Sequence, residues 1–132
     1  MLKHVSFVTH NADALIAFYQ LLGAQVSKDE THPEEHLRRV VLQCEGGTLQ
    51  FFEPNEKPER SSKQTSWMEH LAFVVEEFDL LHQAFQQQEV RFTRELMHSH
   101  SGKRMFFVLD PDGRQLEILE SSGRKMRASV ER

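Results

Sequence analysis

The chain has 132 residues, enough for one domain with a real core or for two small modules that share one. Its net charge of −4, with both signs spread along the chain, gives no basic footprint for nucleic acid. A single cysteine, Cys44, excludes an intrachain disulfide, and with no secretory signal ahead of the first strand and no apolar run of bilayer length the expectation is a soluble cytoplasmic protein.

Residues 3–9 alternate, with His4, Ser6 and Val8 on one face and Val5 and Phe7 on the other, which predicts a first strand. Asn11 is a good helix N-cap and Asp13 suits a first turn. Leu15, Phe18, Tyr19 and Leu22 then form one apolar stripe, and Gly23 ends the helix. Residues 24–30 and 37–43 read as two strands joined through the polar Thr31-His32-Pro33-Glu34-Glu35 turn. After Glu45-Gly46-Gly47, residues 48–53 form a fourth strand. The run from Pro54 to Ser66, rich in Pro, Glu, Lys and Ser, reads as a connection. The predicted organisation is a module at 1–54, a linker at 55–66, a module at 67–120 and a tail at 121–132.

The second module reads as a strand near 69–75, a helix near 78–88 carrying Phe78, Leu81 and Phe85, and strands near 90–95, 103–109 and 115–120. Asp110-Pro111-Asp112-Gly113 is a strong turn signal between the last two strands. Both halves therefore read βαβββ, and they repeat in detail. His4-Val5-Ser6-Phe7-Val8 corresponds to His70-Leu71-Ala72-Phe73-Val74, and Leu49-Gln50-Phe51-Phe52 to Leu116-Glu117-Ile118-Leu119, at nearly equal separations. One such unit leaves an apolar sheet face exposed, so two are expected to pair within an α+β fold.

Alternate side chains of a strand point to opposite faces. With Val5, Phe7, Leu71, Phe73, Leu49, Phe51, Leu116 and Ile118 assigned to the helix side, His4, Gln50, His70 and Glu117 all fall on the other, concave side. Two neutral imidazoles, an amide oxygen and a carboxylate suit one divalent ion such as Zn, Ni, Co, Mn or Fe(II). Four protein ligands would leave an octahedral ion two open positions for two vicinal oxygens of a substrate.

The carrying segments are Leu2-Lys3-His4-Val5, Ala17-Phe18-Tyr19-Gln20-Leu21-Leu22-Gly23, Met68-Glu69-His70-Leu71-Ala72-Phe73 and the run from Phe106 to Glu117. On these segments residues 2–120 resemble the vicinal oxygen chelate superfamily of glyoxalase I, bleomycin and fosfomycin resistance proteins, extradiol dioxygenases and methylmalonyl-CoA epimerase. The resemblance implies a half-open barrel of paired βαβββ modules around a metal held by His4, Gln50, His70 and Glu117. That ligand choice is nearest the epimerase branch.

The branches also differ from this chain. The epimerase pattern has a second catalytic glutamate on the third strand, where Val40 stands. Bacterial glyoxalase I has an arginine four residues after the first ligand and an asparagine after the second, where Val8 and Pro54 stand. Fosfomycin-modifying members have a tyrosine where Phe107 stands, with Ser6 as a substitute hydroxyl. A glutathione-dependent glyoxalase is accordingly not expected.

Further candidates are Lys103 and Arg104, which in a loop with His98, Ser99, His100, Ser101 and Gly102 could meet a substrate carboxylate or phosphate. His32 and His36 are expected at the surface of a turn and Cys44 as a structural thiol. Trp67 and Met68 are expected at an interface, which with the family's habit of pairing modules across chains points to a homodimer. The resulting expectation is a metal-dependent lyase or isomerase acting on a small substrate, with Glu117 transferring the proton. A ring-cleaving Fe(II) dioxygenase using His4, His70 and Glu117, and a drug-binding or fosfomycin-modifying resistance protein, are the alternatives.

Overall fold

The computed structural model describes residues 2–56, 70–99 and 102–121. The chain divides into two compact units, Met1–Trp67 and Met68–Arg132. Most of the expected linker and tail, together with Trp67, Met68, His100 and Ser101, lies outside the described residues. Each unit is a four-stranded mixed sheet with one helix, so the α+β class and the two βαβββ modules are both present.

The first unit runs β1 (Val5–Val8), α1 (Ala12–Leu21), β2 (Gln25–His32), a short 3-10 turn (Pro33–Glu35), β3 (Leu37–Cys44) and β4 (Gly47–Pro54). Its strand order is β1-β4-β3-β2, with β1 parallel to β4 and the other pairs antiparallel. Asn11 caps α1 by accepting from the Ala14 amide at 3.0 Å, and Glu53 on β4 accepts from the Ala12 amide at 3.0 Å. Both oxygens satisfy donors that a helix start leaves unpaired. Leu15, Phe18 and Tyr19 are buried, as are Val40, Leu42, Leu49 and Phe51. Phe51 stacks on Phe7 at 5.3 Å and meets Tyr19 at 5.6 Å, which fixes the odd-numbered side chains of β1 and β4 on the helix side.

The second unit runs β5 (Leu71–Val75), α2 (Phe78–Gln87), β6 (Phe92–His98), β7 (Arg104–Leu109) and β8 (Gln115–Glu120), in the order β5-β8-β7-β6. Its core centres on the fully buried Phe106, whose ring meets Phe78, Phe85, Phe92 and His82 at centroid distances from 5.0 to 6.1 Å. The strand expected near 90–95 runs instead to His98, because its antiparallel pairing with β7 continues as far as His98 opposite Arg104. The Asp110–Arg114 turn is held by one carboxylate. Asp110 Oδ1 accepts from the amides of Asp112 and Arg114 at 2.9 Å, Oδ2 accepts from Arg114 Nη1 at 2.9 Å, and Gly113 takes φ 88°.

Arg38 on β3 bonds Asp29 of β2 and Asp13 in the first turn of α1, and lies 3.9 Å from Glu53. Arg104 on β7 likewise bonds Glu120 of β8 and Asp79 in the first turn of α2, with its guanidinium 4.8 Å from the centre of the Phe78 ring. Arg38 is opposite Glu53 in the first sheet. The β7–β8 register, with Met105 opposite Leu119, places Arg104 opposite Glu120 in the same way. The repeat thus carries one clamp twice, tying helix start to sheet by charge-assisted hydrogen bonds.

Candidate metal centre

His4 and His70 each stand one residue before the first strand of their unit. Gln50 and Glu117 lie on the strand parallel to it, with Ser6 opposite Gln50 and Ala72 opposite Glu117. In the first unit Gln50 Nε2 lies 3.3 Å from His4 Nε2 and donates to Ser6 Oγ at 2.7 Å. Gln50 Oε1 accepts from Arg39 Nε at 2.6 Å, and Arg39 Nη1 pairs with Glu30 at 3.0 Å. In the second unit His70 Nε2 lies 2.9 Å from Glu117 Oε1, and the imidazole meets the edge of Phe107 at 5.4 Å. Gln50 is buried at 7%, whereas the His70 and Glu117 side chains keep 28% and 17% of their surface. The two units therefore each bring a histidine and an oxygen-bearing side chain together at equivalent positions. Among the described residues no three His, Cys, Asp or Glu side chains gather in a metal-holding group.

The chemistry of each pair fits a ligand role. Neutral imidazole nitrogen, carboxylate and amide oxygen are ordinary ligands of hard and borderline divalent ions. In the first unit this fit has a steric condition: Gln50 now turns its amide nitrogen toward His4. A half-turn of the amide would bring Oε1 beside His4 Nε2. Ser6 could follow by donating its hydroxyl proton, since a hydroxyl serves either way.

Two sheet rows extend from these side chains. One reads Ser6, Gln50, Val41, Lys28 across β1, β4, β3 and β2, and the other Ala72, Glu117, Phe107, Arg94 across β5, β8, β7 and β6. Each row ends in a cation, and in each a register shift directly precedes it, between Val26 and Lys28 and between Phe92 and Arg94. Arg94 lies 5.2 Å from the centre of the Phe107 ring, the face-on geometry of a cation–π contact. Neither cation was among the residues expected from alternation, for the reason given by those shifts: one extra residue moves the side chain to the opposite face.

Four expectations need correction. Arg104 lies on the helix side of β7, occupied by Asp79, Glu120 and Phe78, so the clamp and not a substrate engages it. Val40 is fully buried and faces the helix, so the third-strand positions on the face of Gln50 are Arg39 and Val41. His98 ends β6 instead of lying in a loop. His32 is half-buried, its Nε2 sealed from solvent 3.4 Å from Glu30 Oε1 and its Nδ1 3.8 Å from Glu35 Oε1, whereas His36 is exposed with φ 56°. Phe107 is on the face of His70 and Glu117, and Lys103 immediately precedes β7, where alternation puts it on the side of Met105 and Phe107. Cys44 is half-buried, and burial pushes its thiol above the ordinary value.

With this geometry described, the chain's kinship is clear. Residues 1–118 match the model of the Glyoxalase/Bleomycin resistance protein/Dioxygenase superfamily, and the chain belongs to that family. Among solved structures it is similar to a glyoxalase family protein from Enterococcus faecalis, with 28% identity, TM-score 0.71, and 91% of this chain and 97% of the other covered. It is also similar to the trypanothione-dependent glyoxalase I of Leishmania major, with 26% identity, TM-score 0.74, and 99% and 94% covered. Glyoxalase I from Zea mays shares the fold at 18% identity and TM-score 0.76, with 89% of this chain and 43% of that one covered. Comparison with the curated proteins found no match. Among the described residues no helix is long and apolar enough to cross a membrane.

Proposed function

We propose that His4, Gln50, His70 and Glu117 together hold one divalent metal ion, and that the protein is a metal-dependent lyase or isomerase for a small substrate with two vicinal oxygens. The observation that carries this reading is the repeat-equivalent pairing, His4 with Gln50 and His70 with Glu117, at matching positions of the two units. When bound, the ion would act as a Lewis acid on the substrate oxygens. Glu117 is the proton carrier in this reading. Its Oε1 already lies within hydrogen-bond distance of an imidazole, and a carboxylate so placed can accept a proton and return it. Phe107 packs against His70 and restricts its ring, which orients Nε2 toward Glu117. Ser6, which accepts from Gln50 Nε2 at 2.7 Å, would hold the turned amide by donating its hydroxyl proton to Oε1.

Glutathione is not the expected cosubstrate. Its two carboxylates need cationic or multidentate partners to offset lost hydration, and the positions at issue carry Val8, 54% exposed, and Pro54. We further propose a cytoplasmic homodimer.

Elemental analysis of the purified protein beside His70→Ala and Glu117→Ala is the deciding experiment. The expected result is about one bound Zn, Ni, Co or Mn per chain, lost in both variants. Unchanged metal content in His70→Ala would move the site, and tightly bound iron with oxygen uptake would replace lyase chemistry by ring cleavage. Efficient turnover of the methylglyoxal–glutathione hemithioacetal with any of Ni, Co, Mn or Zn would remove the claim about glutathione. Sedimentation of a stable monomer at micromolar concentration would remove the dimer.

A further inference from the structure

A depression of about 190 Å³ opens in the first unit beside the His4–Gln50 pair, lined by Lys3, His4, Lys28, Arg39, Val41, Thr48 and Gln50. Three of these side chains are cationic, and no carboxylate lines it. Lys3 and Lys28 form no ion pair among the described residues, and Arg39 spends Nε on Gln50 and Nη1 on Glu30, leaving Nη2 without a partner there. Among the described residues, only one of the three charges is therefore neutralised by a neighbouring acid. Like charges gathered without counter-charges cost stability, so their collection beside a buried glutamine calls for an anionic occupant.

Two features show that the arrangement is built by the fold. The register shift at Ser27, whose hydroxyl donates to the Val41 carbonyl at 3.2 Å, carries Lys28 from the helix side to the ligand side of the sheet. Arg39 is held in place by its bond to Gln50 at one end and to Glu30 at the other. A planar guanidinium fixed in this way presents Nη2 in a set direction, which favours an oxyanion over a diffuse counter-ion.

We propose that Lys28, Arg39 and Lys3 form the anchor for an anionic group, a carboxylate or a phosphate, carried by the substrate next to its vicinal oxygens. This deepens the reading given under Proposed function and rests on it for the identity of the neighbouring ligands. The substrate class is then a small oxygenated acid or phosphate ester. Its charged end would lie over Val41 and Thr48, and its reacting oxygens at Gln50 and His4. The anchor would also couple to the ligands: the half-turn that aims Gln50 Oε1 at a metal ends its bond to Arg39 Nε, so Arg39, then held by Glu30 alone, can turn Nε as well as Nη2 to the anion.

The test uses the full chain and two inorganic or minimal probes. Inorganic phosphate and acetate are titrated separately into the protein while backbone amide shifts are followed by NMR, in the wild type, in Lys28→Met and in Arg39→Gln. Shifts centred on Lys28, Arg39 and Thr48 are expected, weakened about tenfold in each variant, and the tighter of the two probes identifies the anion type. Lys28→Met leaves Gln50 untouched and its dispersed spectrum serves as the folding control. Absence of shifts at those residues, or equal affinity in wild type and Lys28→Met, would overturn the anchor. Metal content is measured on the same samples, so loss of the metal reading would show as no bound ion while the anion response stands. With metal bound, succinate monohydroxamate is expected to bind about tenfold tighter than neutral acetohydroxamate, and Arg39→Gln should abolish that preference.

Discussion

Phe106 stands at the centre of the second unit's aromatic cluster. It is fully buried, and its ring is surrounded by Phe78, Phe85, Phe92 and His82. Phe106→Ala removes the transfer energy of the ring and leaves a void that its neighbours cannot all fill. A loss of roughly 3–5 kcal/mol is expected, read by denaturant unfolding, and a loss under 1 kcal/mol would mean the cluster relaxes freely. His82 contributes to the same cluster at a cost, since its Nε2 is sealed and has no hydrogen-bond partner among the described residues. His82→Leu keeps the packing and removes that polar atom. Stabilisation of about 1 kcal/mol is expected, seen as a rise of a few degrees in Tm, whereas destabilisation would show that the nitrogen is satisfied in solution. Cys44 follows from burial in the same direct way. Its thiol titrates above the ordinary value, so less thiolate is present at neutral pH, and iodoacetamide should label it more slowly than it labels free cysteine at pH 7.5.

At the scale of elements, the Asp110–Arg114 turn shows how a distinctive sequence run serves the site without touching it. Asp110 is buried, and its carboxylate closes the turn through two amides and a guanidinium. The following strand then leaves with Leu116 and Ile118 inward and Glu117 toward His70. Asp110→Ala takes the acceptor from the Asp112 and Arg114 amides, while Arg114 Nη1 keeps Asp112 Oδ2 at 2.9 Å; it should cost on the order of 2–4 kcal/mol and lower metal affinity at the proposed Glu117 ligand. Differential scanning calorimetry and metal titration of that variant separate the two effects.

This turn was legible in the sequence, as were both helices, because Pro, Gly, Asp and apolar spacing act locally. The face of β4 and β8 that carries Gln50 and Glu117 was legible too, since β1, β4, β5 and β8 pair without interruption and alternation holds throughout. Lys28 and Arg94 were not legible. Strict alternation from Val26 and Phe92 sends both to the helix side, and only pairing with β3 and β7 reveals the inserted residue. A bulge depends on the partner strand, which no local pattern records. Arg104 was misread for a related reason: its partners Asp79 and Glu120 come from two other elements, and the charge alone suggested a free cation.

Across the molecule the repeat sets the response to acid. Arg38 and Arg104 hold equivalent clamps, and their hydrogen bonds keep Asp29 and Glu120 below their ordinary values of 3.8 and 4.5. A carboxylate depressed in the folded state binds fewer protons there than in the unfolded chain. Its contribution is therefore complete above the unfolded value and is lost as pH falls through the folded value. Tm should be nearly level between pH 7 and pH 5.5 as far as these groups are concerned, and should fall below about pH 4.5. Arg38→Met and Arg104→Met remove the cation responsible in each unit. Each variant is expected to melt below the wild type at pH 7, with the difference shrinking toward pH 3 as the carboxylates protonate in both proteins. The exposed position of these acids keeps the difference small, and added salt should reduce it further. A difference between wild type and Arg104→Met that stays constant from pH 7 to pH 3 would locate the stabilisation in the packing of the guanidinium on Phe78 and not in its charge pairing.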